Sequence, residues 1–157
     1  MPKHHLLCAG IFFMATQIMT VHPSYAVLGE PAASVTNDKA SLGGKRVAKT
    51  TATGNRYQVH EIQSDDVSVR EYVSPNGIVF AVAWNGFVQP DLDSLFGAYA
   101  FEYQHALKNT PRTPGRRSSQ VTSDRVVVQK WGHMRNMQGR AYVPALLPQG
   151  VSIDEIK

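Results

Sequence analysis

Cysteine is nearly absent from this chain: its one example, Cys8, lies close to the start. A protein without a second thiol forms no internal disulfide, so its stability must come from packing. The same lack removes cysteine zinc sites and papain-like nucleophiles from consideration. There is no Gly-x-Ser-x-Gly elbow and no His-Glu-x-x-His pair, so the common hydrolase signatures are missing. No apolar run reaches the roughly 20 residues that a spanning helix needs. The longest, from Leu6 to Val21, is broken by Thr16, Gln17 and Thr20. Charge of one sign is not dominant either. Sixteen Lys and Arg stand against 12 Asp and Glu, a balance that demands no nucleic-acid partner.

What stands at the start is a basic, then apolar, then small-residue pattern. Lys3, His4 and His5 precede the apolar run, and Ser24-Tyr25-Ala26 places small residues at the spacing a signal peptidase reads. Residues 1–26 therefore read as a secretory signal peptide, with an uncleaved anchor as the alternative. Lipidation is not indicated. Cys8 lies at the start of the apolar run instead of following it, and Leu7 occupies the place of a small residue. Cleavage after Ala26 leaves 131 residues, enough for one modest core, with net charge +3 and no cysteine. The expected location is exported, in the periplasm or secreted.

Residues 27–55 are polar and read two ways. Ser34 can cap a short helix through Leu42 that Gly43 stops, or the segment is a flexible mature N-terminus. From residue 56 the pattern has period two, and a single globular domain is expected over 56–157. Tyr57 and Val59, then Val67, Val69 and Val73, then the apolar run from Ile78 to Trp84, predict a β-meander over 56–85. Pro75, Asn76 and Gly77 form its sharpest turn. Leu92, Leu95, Phe96, Tyr99, Tyr103 and Leu107 form one apolar stripe and predict a helix over 91–108. Gly97 within it suggests a close approach to the sheet. Further strands are expected near 121–131 and 139–143, with a turn or short irregular segment from Gly132 to Met137. An ordered non-helical crossing is expected between Pro144 and Pro148. The fold class is α+β, an antiparallel sheet of about five strands packed against one helix.

Several segments together resemble a bacterial family of exported proteins catalogued as domain of unknown function 2844. They are Val69-Arg70-Glu71-Tyr72-Val73-Ser74-Pro75 with Gly77, Val79-Phe80-Ala81-Val82-Ala83-Trp84, and Pro90-Asp91-Leu92 followed by Leu95, Gly97 and Tyr99. Gly132-His133-Met134-Arg135 and the run from Gly139 to Pro148 also fit, as do Leu28-Gly29 and Ala33-Ser34-Val35. Asn85-Gly86-Phe87 departs from the Gly-Pro pair expected in that loop. The resemblance implies a signal peptide and a Gram-negative envelope setting. It implies no activity and carries over no catalytic residue.

Two candidate sites arise from the residues themselves. His133, Met134 and Met137 place one imidazole and two thioethers within five residues, a set that suits Cu(I). Against this, methionine is a common gap-filler and a lone histidine near a turn more often bonds backbone. Arg112, Arg116 and Arg117 lie in a loop without an acid and suit an anionic surface, with Arg135 and Arg140 as further contributors. The bland reading is an exposed solubilising loop. Trp84, Trp131, Tyr72 and Tyr142 suit either a ligand groove or, more simply, the core. Glu71 beside Arg70 reads as a solvated face or a cross-strand ion pair. His60 and Glu61 are neighbours on a strand and face opposite ways. The functional expectation is a non-enzymatic envelope binding or accessory module that needs no cofactor. Its partner would be an envelope protein or surface component, with no nucleic acid and no transmembrane anchor. The alternative is an envelope metal-handling protein or hydrolase using His133.

Overall fold

The computed structural model describes residues 27–32, 47–53, 56–111 and 114–157. The expected signal peptide and the expected helix after Ser34 lie outside the described residues. Among the described residues seven strands form one antiparallel sheet: β1 (Val47–Thr53), β2 (Tyr57–Gln63), β3 (Val67–Val73), β4 (Val79–Gly86), β5 (Ser118–Thr122), β6 (Val127–His133) and β7 (Asn136–Tyr142). Their spatial order is β1-β2-β3-β4-β7-β6-β5. A four-strand meander thus meets a three-strand meander at the central pair β4 and β7.

The α+β class is as the sequence predicts, with seven strands rather than about five. The sheet starts before residue 56, because 47–53 pairs along all of β2. That strand is Thr- and Ala-rich and lacks an alternating apolar signal. The expected strand over 121–131 is two strands, β5 and β6, divided by a turn. There the Ser123 amide donates to the Val126 carbonyl at 3.0 Å, and Ser123 Oγ accepts from the Val126 amide at 3.1 Å. Of the turn or short irregular segment expected at 132–137, the structure has the turn: Met134 and Arg135 close a tight hairpin, with His133 paired to Asn136.

The single helix expected over 91–108 is two helices, α1 (Leu92–Phe96) and α2 (Ala100–Asn109), joined by a 3-10 turn. Gly97 causes the break. Its φ is 48° and its ψ is −114°, outside the α-helical region. A Cβ there would lie 1.9 Å from Val27 Cγ1, so the close approach is to the chain's own residue 27 and not to the sheet. Despite the break, the stripe stays on one side: Leu92, Leu95, Phe96 and Tyr103 are buried together with Val69, Val82 and Trp84.

The opposite face of the sheet carries Tyr57, Tyr72, Phe80, Ala81, Ala83, Val127 and Tyr142. Residues 144–157 cover part of it through Leu146, Leu147, Val151, Ile153 and Ile156. The stretch after Pro144, expected to be non-helical, forms one 3-10 turn. β4 is consequently buried on both sides, as its apolar run of both parities predicts. A bulge helps it serve both: Tyr72 pairs with Ala81 but Val73 with Val79, leaving Phe80 as the extra residue.

Residues 27–32 are stitched to the start of β4. The Gly29 amide donates to the Val79 carbonyl at 2.8 Å, and the Val79 amide donates to the Glu30 carbonyl at 3.0 Å. Among the described residues no helix is long and apolar enough to cross a membrane.

Candidate functional site

Strand alternation sorts the polar residues before any chemistry is considered. On β3, Val69, Glu71 and Val73 face the helices, while Arg70 and Tyr72 face residues 144–157. Glu71 is therefore not on a solvated face: it is fully buried, opposite His60 on β2 and Val82 on β4. The ion pair belongs to Arg70, whose Nε lies 3.2 Å from Glu61 Oε1. Burial pulls the His60 imidazole below its ordinary value. His60 and Glu61 do point to opposite faces, as expected.

The aromatic residues divide. Trp84, Tyr72 and Tyr142 are buried in the core. Trp84 lies over Gly139, where a Cβ would come within 2.2 Å of the indole. Trp131 alone of the four is only half-buried. Its indole N–H donates to Gln138 Oε1 at 2.9 Å, and the Arg140 guanidinium sits 5.7 Å from its ring.

The arginines also divide. Arg140 donates to Gln129 Oε1 at 2.6 Å, to the Ile153 carbonyl at 2.6 Å and to the Ile156 carbonyl at 3.1 Å. Arg70 donates to the Lys157 carbonyl at 2.8 Å. Arg56 donates to the Gly150 carbonyl at 2.6 Å and pairs with Glu155 at 3.1 Å. Tyr72 completes this fastening by donating its hydroxyl to the Lys157 carbonyl at 2.9 Å. Burial pushes the Tyr72 phenol up, which keeps it a donor. These groups hold residues 144–157 on the sheet.

Arg116 and Arg117 are exposed and make no ion pair among the described residues. Arg112 lies outside the described residues. Arg116 and Arg117 border a pocket of about 320 Å³ whose lining also includes Trp131, His133, Met134 and Met137. A larger groove of about 850 Å³ continues from it past Arg116, Gln129 and Arg140 towards Asp154. The fold thus brings together two groups that the sequence presents separately, the arginine loop and the Gly132–Met137 segment. The connection is made by β6: the Gly132 amide donates to the Arg117 carbonyl at 3.2 Å.

Alternation bears on the histidine–methionine set. His133 follows Val127, Gln129 and Trp131 on one face of the sheet, while Met137 precedes Gly139 and Ala141 on the other. His133 Nδ1 is 3.0 Å from the Met134 carbonyl, which leaves Nε2 as its outward nitrogen. Met134 is 84 % exposed at the hairpin tip. Beside it Arg135 takes φ 67°, a left-handed conformation uncommon for a residue with a Cβ. Among the described residues no three His, Cys, Asp or Glu side chains come together as a metal-holding group.

Sequence reasoning gave no functional role to Phe87, Val88 or Lys130. Lys130 Nζ bonds Tyr103 Oη at 2.9 Å beneath the helices. Phe87 and Val88 are exposed just after β4. Their signal was available, since two large apolar residues stand in a loop before Pro90.

Comparison with known proteins adds one match. The family model described as "Protein of unknown function (DUF2844)" matches residues 24–156. No curated protein and no solved structure matches the chain.

Proposed function

The chain belongs to the DUF2844 family, and on that premise we propose that it is an exported, non-enzymatic binding module that holds an anionic surface. The reading is carried by one observation: Arg116 and Arg117 are exposed, lack an ion pair among the described residues, and border a pocket. Guanidinium groups in that state are suited to carboxylate or phosphate, which they bind through paired N–H donors. Arg56, Arg70 and Arg140 differ because their donors are taken by the chain itself. The leader-like pattern of residues 1–26 supports the exported setting.

The test is titration of the protein with a soluble acidic polysaccharide at low and high salt. Binding should weaken steeply with salt and fall sharply in Arg116→Glu/Arg117→Glu. Binding that ignores both salt and charge reversal would contradict the reading. Soft-metal handling at His133 is the second reading, since His133, Met134 and Met137 do line one pocket. Stoichiometric Cu(I) binding that His133→Ala abolishes would establish it over the first.

A further inference from the structure

Large apolar side chains are exposed at five described positions: Phe87 (59 %), Val88 (47 %), Phe101 (83 %), Met134 (84 %) and Met137 (39 %). Four of the five gather at one end of the sheet. The ladder shows why. Val67 pairs with Gly86, Gly86 with Met137, and Met137 with Gly132, which bonds Arg117. These residues form the last rung that runs from β3 across to β6. Just beyond it stand Phe87 and Val88, then the Met134–Arg135 turn, then Arg116 and Arg117. With strands about 4.8 Å apart, the stretch from β4 to β5 is roughly 14 Å wide.

The end is graded in charge. Asp65 and Asp66 lie at its β3 side, where the Phe87 amide donates to the Asp66 carbonyl at 2.8 Å. Arg116 and Arg117 lie at its β5 side, and Arg135 sits in the β6–β7 turn beside Met134. The apolar tips stand between. This is the arrangement of an interfacial anchor: apolar tips that enter the boundary between headgroups and acyl chains, and guanidinium groups that stay at the phosphates. We propose that the anionic surface is a lipid bilayer, entered by Phe87, Val88 and Met134 and held by Arg116, Arg117 and Arg135. This rests on the anionic-surface reading above and adds the source of the anion.

Area argues for lipid over a protein partner. The four exposed side chains at this sheet end offer on the order of 400 Å², the size of an ordinary surface patch and about half of one side of a standard protein interface. Projecting tips also suit a soft, deformable partner better than a flat protein face.

The experiment uses the full chain with Cys8→Ala and one new cysteine carrying an environment-sensitive fluorophore. Val88→Cys reports on the proposed anchor. Asn76→Cys reports on the turn at the opposite end of the sheet, so membrane contact by residues 1–26 does not mimic the result. The probes are vesicles of phosphatidylglycerol with phosphatidylcholine, and of phosphatidylcholine alone. The expected result is a blue shift and protection from an aqueous quencher at position 88, not at 76, on the anionic vesicles. Adding Phe87→Ser should lower the partitioning about tenfold. Removing each arginine charge should lower it about fivefold. A label at 88 that stays accessible while vesicles sediment the protein overturns the proposal. A shift that appears without vesicles and grows with protein concentration also overturns it, in favour of a second copy. If soluble acidic polysaccharide binds through the arginines while position 88 ignores vesicles, only the lipid assignment fails. If neither probe binds, the anionic-surface reading fails with it.

Discussion

Two sets of arginines lie within this small sheet, and they are used differently. Arg56, Arg70 and Arg140 spend their donors on the chain, reaching the carbonyls of Gly150, Ile153, Ile156 and Lys157. Arg116, Arg117 and Arg135 are exposed at one end of the sheet and make no ion pair among the described residues. All are the same residue type in a chain of only modest positive charge. Charge alone therefore says little about binding; what the guanidinium already holds says more. The first set is structural because residues 144–157 offer backbone acceptors that the sheet can reach. The second set projects from the sheet end and makes no ion pair among the described residues.

The largest effect should come from breaking the first set. Arg140→Met keeps much of the apolar stem but leaves the Ile153 and Ile156 carbonyls without their donor. It should cost about 3 kcal/mol, read as a lower urea midpoint, since hydrogen bonds to a charged group each contribute about 1.5–3 kcal/mol. Binding to an acidic polymer should survive in the folded protein. Next is the second set. Arg116→Glu/Arg117→Glu should change stability by less than about 0.5 kcal/mol, as surface replacements do, while removing most of the anion binding. Loss of fold in that variant would dissolve the distinction between the sets.

Arg135 sharpens the comparison from another side. Its left-handed backbone costs about 1 kcal/mol that glycine does not pay. Arg135→Gly should therefore raise the thermal midpoint slightly while weakening anion binding, so stability and binding move in opposite directions. Equal or lower stability would mean that the turn is not strained.

The smallest effect is in acid. The Ser152 amide, then Tyr57 and Arg56, hold the Glu155 carboxyl below its ordinary value. A depressed folded value gives stability that is present above the unfolded value and lost as pH falls through the folded one. The hold on residues 144–157 should loosen at low pH, and Glu155→Gln should flatten that part of the acid slope. Amide hydrogen exchange at 150–157 would show it. Glu102, lowered chiefly by the Ser123 hydroxyl and also bound by Arg125, adds a similar acid loss at the β5–β6 turn.

The central meander was readable in the sequence because β3 alternates, β4 is a continuous apolar run and Pro75-Asn76-Gly77 marks the turn between them. There Gly77 takes φ 78° and its amide donates to the Ser74 carbonyl at 2.9 Å. β1 was not readable, since Lys49 and Thr50 interrupt any apolar pattern and its pairing with β2 decides its structure. The break at Gly97 depends on Val27, 70 residues earlier in the chain, so the apolar stripe read as continuous. Glu71 misled because strand parity outweighs the charge beside it: Val69 and Val73 take it into the core. For the site, the arginine loop was visible as local charge. Its meeting with Met134 was not, because 121–131 read as one strand, and only its division into paired β5 and β6 sets Arg117 beside Gly132.

The most direct test is elution from an immobilised acidic polysaccharide along a salt gradient. The wild-type chain, Arg140→Met and Arg116→Glu/Arg117→Glu would be run side by side under folding conditions. Wild type and Arg140→Met should elute together at raised salt, with the double variant near the start of the gradient. Co-elution of the double variant with wild type would contradict the assignment of binding to the sheet end.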